Sequence, residues 1–230
     1  MIRRLRVPWP AARPDDPDRV RPFRILAVSD VRDDALALEV NRAAIGSIDA
    51  IVGAGDLEPA YLTMLADAFR VPLFYVLGNH DRGAGWTAQS NHLPDPMPDG
   101  RVEHLDGLDV IGLSWPGSER GRAKRDDRAA WRQALSAWLR HLVTRRPLLI
   151  VSHVPPEGCG DDPADPYHAG FAAYRWLARR THPPLWLHGH TTVATQKTLV
   201  SEVDSTHLVN VTGAVLIELD PRLEEWPALT

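Results

Sequence analysis

The sequence predicts an α/β protein built on a parallel sheet, and three observations predict it. Apolar runs of strand length alternate with helical patterns in the order β-α-β-α-β between residues 24 and 77. That order calls for crossover helices joining parallel strands. The runs are short and continuous, which reads as buried strands. Finally, five of the apolar runs end in a carboxylate, amide or imidazole. Open α/β sheets hold ligands at that edge, so the polar groups stand where chemistry would happen.

Residues 24–29 read as the first strand, and Asp34 is a suitable N-cap for a helix over 35–45. A second strand is expected over 48–54, and Pro59 stands at a good first position for a helix over 60–69. The strand at 71–77 completes this unit. A loop from Asp81 to Gly100 carries Pro94, Pro96 and Pro98, and loops of that length are usually functional. Short strands follow at 101–104 and 108–114. Over 126–143, apolar residues recur at Ala130, Trp131, Ala134, Leu135, Trp138, Leu139 and Leu142, a helical stripe expected to face the core. A strand at 148–152, a Pro/Gly-rich loop over 154–166, a helix at 169–180 and a strand ending at Leu187 come next. Three short strands between Val193 and Leu219 suggest a second sheet. The expected organisation is an Arg/Pro-rich arm (1–22), one domain (23–220) and a tail (221–230).

Composition narrows the function classes. A formal net charge of −4 gives no overall electrostatic reason to expect nucleic acid or a membrane as partner. Cys159 is the only cysteine, so no intrachain disulfide forms and a reducing compartment fits. No stretch reaches the roughly 18 apolar residues of a membrane span. The arm holds six arginines and five prolines but no apolar segment of the kind a cleaved signal needs. The expected address is the cytoplasm.

The strand ends carry the chemistry. Ser29 runs into Asp30, Gly55 into Asp56, Leu77 into Gly78-Asn79-His80-Asp81, Ser152 into His153, and Leu187 into His188-Gly189-His190. A carboxylate, an amide oxygen and two imidazoles form a mixed nitrogen and oxygen set suited to Mn²⁺, Fe²⁺, Co²⁺ or Zn²⁺. A metal held so lowers the pKa of bound water and provides hydroxide at neutral pH.

In this order, Asp30, Gly55-Asp56, Gly78-Asn79-His80-Asp81, His153 and Gly189-His190 resemble the calcineurin-like metallophosphoesterases, over residues 24–214. Ser152-His153-Val154-Pro155-Pro156 is similar to that family's histidine-proline-proline loop, and Asn210-Val211-Thr212-Gly213 to its asparagine-X-glycine turn. The resemblance implies a four-layer α-β-β-α sandwich of two mixed sheets. It implies that Asp56, Asn79, His153 and His190 bind one metal, while Asp30 shares Asp56 with a second. It further implies that His80 faces the substrate, stabilising phosphoryl oxygens or protonating the leaving group. Asp81 would accept a hydrogen bond from the far ring nitrogen of His80 and fix its tautomer.

Two positions depart from the family pattern. Its aspartate-X-histidine reads Asp30-Val31-Arg32 here, and its glycine-histidine-X-histidine reads Gly189-His190-Thr191-Thr192. Both imidazoles of the first metal are missing, leaving Asp33 or Thr192 as weak oxygen donors and His188 as a register-shifted substitute. A guanidinium about 5 Å from a divalent ion repels it by roughly 6–7 kcal/mol at an effective dielectric of about 20. Arg32 is therefore expected to pair with Asp30, stand in for the missing cation and grip a phosphate oxygen. His168 falls near the site by the same resemblance, and the run Arg120, Arg122, Lys124, Arg125 reads as a solvated charged face. The expected function is hydrolysis of a small phosphoester, monoester or diester, by hydroxide on one tightly held metal. The alternative is a degenerate phosphoesterase fold kept as a binding or scaffold protein.

Overall fold

The computed structural model describes residues 2–10, 21–81, 84–105, 107–117, 124–144, 146–191 and 199–226. Its strands are β1 (Arg3–Pro8), β2 (Phe23–Ser29), β3 (Ala50–Gly53), β4 (Leu73–Tyr75), β5 (Val102–Leu105), β6 (Leu108–Leu113), β7 (Leu148–Ser152), β8 (Leu185–His188), β9 (Val200–Val203), β10 (Thr206–Asn210) and β11 (Gly213–Asp220). Its helices are α1 (Glu39–Ile45), α2 (Pro59–Phe69), α3 (Ala84–Gln89), α4 (Asp127–His141) and α5 (Ala172–Thr181). The strands form two mixed sheets, ordered β1-β11-β2-β3-β4 and β5-β6-β7-β8-β10-β9.

Strand alternation builds the layers. Ile25 and Ala27 of β2 and Leu149 and Val151 of β7 meet in one core between the sheets. Their neighbours Leu26 and Val28 face the opposite way, joining Leu36, Ile45 and Tyr61 in a second core. Leu148 and Ile150 likewise join Ala134 and Leu177 of α4 and α5 in a third. Because side chains alternate with period two, a strand buried on both faces must be apolar throughout. This is the expected α-β-β-α sandwich.

Several local expectations change. The segment foreseen as a helix over 35–45 is a 3₁₀ turn at Asp34–Ala37 followed by α1, and Asp33 rather than Asp34 caps the turn by accepting from the Ala35 amide. The Asp81–Gly100 loop contains α3. Residues 3–8 of the expected arm are a strand, β1, paired in parallel with β11. The last three strands do not make a sheet of their own. β9 and β10 extend the second sheet, while β11 crosses back between β1 and β2.

The α4 stripe divides: its alanines face the core as expected, and its larger side chains turn outward. Ala130, Gln133, Ala134 and Ala137 take the buried face, whereas Trp131, Leu135, Leu139 and Leu142 are exposed. Small alanines let the helix lie close to the sheet. Gln133 is tolerated there because it donates to Ser114 O at 2.9 Å and accepts from the Tyr174 hydroxyl at 2.6 Å.

Candidate metal centre

The parallel strands β2, β3, β4, β7 and β8 point their C-terminal ends at one edge, and the turns beyond them converge. Asp30, Asp56 and His190 all adopt left-handed backbone, with φ of 58°, 56° and 67°. Such a conformation costs about 1–2 kcal/mol at a non-glycine residue, and here it re-aims each side chain just past a strand end. Glycines leave the carboxylates room. A Cβ on Gly78 would lie 2.0 Å from Asp56 Oδ1, and one on Gly189 would lie 2.2 Å from Asp30 Oδ2.

Four atoms meet at the centre. His153 Nε2 lies 2.8 Å from Asn79 Oδ1, 3.3 Å from Asp56 Oδ2 and 3.2 Å from His190 Nδ1. Two backbone carbonyls decide what those atoms are. His153 Nδ1 is 2.8 Å from Ala54 O, and His190 Nε2 is 2.9 Å from Tyr167 O. A carbonyl only accepts, so each of those nitrogens carries the ring proton. In their neutral forms His153 Nε2 and His190 Nδ1 are then lone pairs 3.2 Å apart, and His153 Nε2 also faces the Asn79 and Asp56 oxygens. A neutral His153 Nε2 ringed by three acceptors is electrostatically unfavourable, and either a proton or a metal cation there relieves this. The residues present fit a bound divalent metal. Asp30 stands close by, since donor atoms of Asp30, Asp56 and His153 lie within 4.8 Å of one another.

The electrostatics agree. Burial would depress His153, but the neighbouring Asp56 carboxylate overrides it and pushes the ring up to about 9. His190 is pushed down to about 3 by burial and by its neighbour His153. Burial would raise Asp56, yet His153 and the His80 backbone N–H hold it below the usual carboxylate range. A metal-free site thus holds one proton in place of the cation.

Asp81 does something other than expected. Its Oδ2 accepts from the backbone N–H of Asp56 at 2.6 Å and of Gly78 at 2.8 Å, clamping two site loops together. Burial pushes this carboxyl up to about 6. The described contacts of the His80 ring include Asp56 Oδ2 at 3.9 Å but not Asp81. The His80 backbone N–H donates to Asp56 Oδ1 at 2.8 Å, and its side chain is 74% exposed. Asp81→Ala should therefore lower stability by about 2–3 kcal/mol, the worth of two bonds to a charged acceptor less the relief of an ionised buried group. An unchanged denaturation midpoint would remove the clamp from the account.

Arg32 also differs. It bonds Asp34 at 2.9 Å, approaches Glu58 at 3.7 Å and lies over the Tyr61 ring. It does not pair with Asp30, whose left-handed backbone turns the carboxylate inward. There Asp30 accepts from Ser29 Oγ at 2.6 Å, the His190 N–H at 2.9 Å and Thr212 Oγ1 at 3.3 Å. Asp33 is spent on capping Ala35. His188 is buried, faces the Gly189 carbonyl and is pushed down to about 4 by that burial. Thr192, Arg120 and Arg122 lie outside the described residues. Arg125 donates to the carbonyls of Ala169 and Gly170 and covers Phe171, a structural part rather than a solvated one.

Three further residues support the site, and two of them, Tyr167 and Trp115, carry no signal in the sequence pattern. The Tyr167 hydroxyl accepts from Asn79 Nδ2 at 2.7 Å, which turns Asn79 Oδ1 toward His153. Trp115 packs 5.3 Å from the His190 ring, centroid to centroid. Asn210 bonds the Thr191 carbonyl and the Thr212 N–H, tying the His190 turn to the next one. The Asn210-Val211-Thr212-Gly213 turn is the visible signal for the last of these. His168 bonds Asp165, and its ring lies tilted against that of His190 with centroids 5.1 Å apart, beside the centre.

Fold and site together define a metallophosphoesterase-like protein. A family model for calcineurin-like phosphoesterases matches residues 23–194, and the chain belongs to that family. Among solved structures, the crystal structure of TT1561 of Thermus thermophilus is 19% identical, with a TM-score of 0.59, covering 84% of this chain and 90% of that one. Another crystal structure is 18% identical at the same TM-score, covering 84% of this chain and 91% of its own. Likeness at this level extends to the fold. No curated protein matches the chain.

Proposed function

We propose that the chain hydrolyses small phosphoesters, mono- or diesters, with one tightly held Mn²⁺, Fe²⁺, Zn²⁺ or Co²⁺. Asp56, Asn79, His153 and His190 would hold it. The observation that carries this reading is the set of three acceptors around His153 Nε2, with both imidazole tautomers dictated by backbone carbonyls. When bound, such a metal supplies Lewis acidity and a nucleophile at neutral pH. Beside Asp56, a cavity of about 380 Å³ is lined by His80, Leu57, Glu58, Trp86 and Gln89. His80 stands at its wall with an exposed ring on an anchored backbone, suited to meet a phosphoryl or leaving-group oxygen.

A single tight metal is supported by the state of Asp30. The Ser29 hydroxyl and the His190 N–H already donate to its carboxylate, and Arg32 replaces an imidazole of the family pattern. A cytoplasmic address goes with the reading, supported by the lone cysteine. Among the described residues, no helix is long and apolar enough to cross a membrane. The test is elemental analysis beside assays on p-nitrophenyl and bis-p-nitrophenyl phosphate. About one metal per chain and metal-dependent hydrolysis of either ester are expected. Absence of turnover with all four metals supplied would favour the scaffold alternative, to which the two missing histidines point.

A further inference from the structure

The outward face of α4 carries large apolar side chains that the fold leaves uncovered. Trp131, Leu135, Leu139, Leu142 and the adjoining Val143 are 39, 43, 58, 61 and 81% exposed. Spacings of three and four residues set the helical positions on one stripe. At its margin Trp131 and Trp138 pack against Trp176 of α5, with ring centroids 5.6 and 5.8 Å apart. A contiguous stripe of this kind, unlike scattered exposed leucines, marks a docking surface.

Charge indicates what docks. α4 and α5 hold six arginines (Arg128, Arg132, Arg140, Arg175, Arg179 and Arg180) and one acid, Asp127. Asp127 is itself bonded to Arg125 at 3.1 Å. Arg179 pairs with Asp204 at 3.6 Å and Arg175 donates to the Glu157 carbonyl at 3.0 Å, but Arg128, Arg132 and Arg140 stand on α4 itself, a positive balance on a chain at −4.

We propose that this face docks on an anionic lipid surface. The leucines would enter the headgroup boundary, the tryptophans sit at its level, and the arginines extend their stems along apolar surface to reach lipid phosphates. A second copy docked on the same face would bring two arginine-rich rims together, which like-charge repulsion disfavours. A partner helix needs a groove to lie in, whereas these side chains stand on an outer helix.

The test is co-sedimentation of the full chain with vesicles of phosphatidylcholine alone, or with an equal part of phosphatidylglycerol. Binding to the anionic vesicles only is expected, weakening as salt screens the exposed arginines. Leu139→Glu with Leu142→Glu, at exposed positions, should keep the circular dichroism melt and lower partitioning at least about tenfold. Arg128→Glu with Arg132→Glu should lower it by roughly fivefold or more per site. Failure of the wild type to sediment with anionic vesicles overturns the proposal, as does equal sedimentation of the leucine variant. A dimer in sedimentation equilibrium that Leu139→Glu dissolves would assign the face to a second copy. Binding of an acidic amphipathic peptide without vesicle binding would assign it to a protein partner. Neither result depends on hydrolytic activity.

Discussion

Replacing His153 or His190 with alanine is expected to strip the centre of its metal while leaving the fold in place. Each imidazole supplies one of the acceptors at the centre, and even residues that only orient a ligand change metal affinity by about 10–100-fold. Removing a ligand itself should exceed that, and hydrolysis should fall to background. His190→Ala is the cleaner variant, because the His190 ring bonds the carbonyl of the exposed Tyr167, whereas His153 bonds that of the fully buried Ala54. The site's own electrostatics add a pH signature. His153 is pushed up to about 9 by Asp56, so below that pH the metal-free ring is protonated. Metal must displace this proton, and apparent affinity should therefore rise about tenfold per pH unit as pH climbs toward that value. Calorimetry in two buffers of different ionisation enthalpy should find about one proton released per metal at neutral pH. Unchanged metal content in both alanine variants would sink the ligand assignment.

The second large effect concerns His80. A general acid typically contributes about 10²–10⁴-fold to rate, and His80→Ala should lower turnover by a factor in that range. Metal content should barely change, since the ring is exposed and its tie to Asp56 runs through the backbone N–H, which alanine retains. Stability should hold as well, in contrast to Asp81→Ala, where two backbone amides lose their acceptor. A His80→Ala enzyme with unchanged turnover would leave proton transfer to solvent. Parallel loss of metal and rate would instead make His80 part of the binding site.

The contrast between His80 and Asp81 bears on what can be read from one dimension. The two are neighbours in a single motif, and adjacency suggests a pair. In the fold the Asp81 side chain turns back to the amides of Gly78 and Asp56, because those buried N–H groups need an acceptor. Arg32 shows the same limit. Charge arithmetic pairs it with Asp30, but the left-handed backbone at Asp30 turns the carboxylate away, toward the His190 turn. Tyr167 is invisible for a related reason. It lies 88 residues from Asn79 in sequence, and only loop packing brings its hydroxyl to that amide.

By itself the sequence determined the strand order of the first unit, the apolar runs buried on both faces, and the polar residues that end them. Those follow from local pattern, because side-chain alternation and strand-end placement need no knowledge of distant partners. Tertiary structure alone decided which imidazole nitrogens carry protons, since the Ala54 and Tyr167 carbonyls that dictate it come from other loops. It decided that β11 returns to the first sheet, because insertion between β1 and β2 is a long-range choice. It also decided which stripe of α4 meets the core. Alanines and a satisfied Gln133 pack closer than tryptophan and leucine could, so the larger apolar side chains were left facing outward.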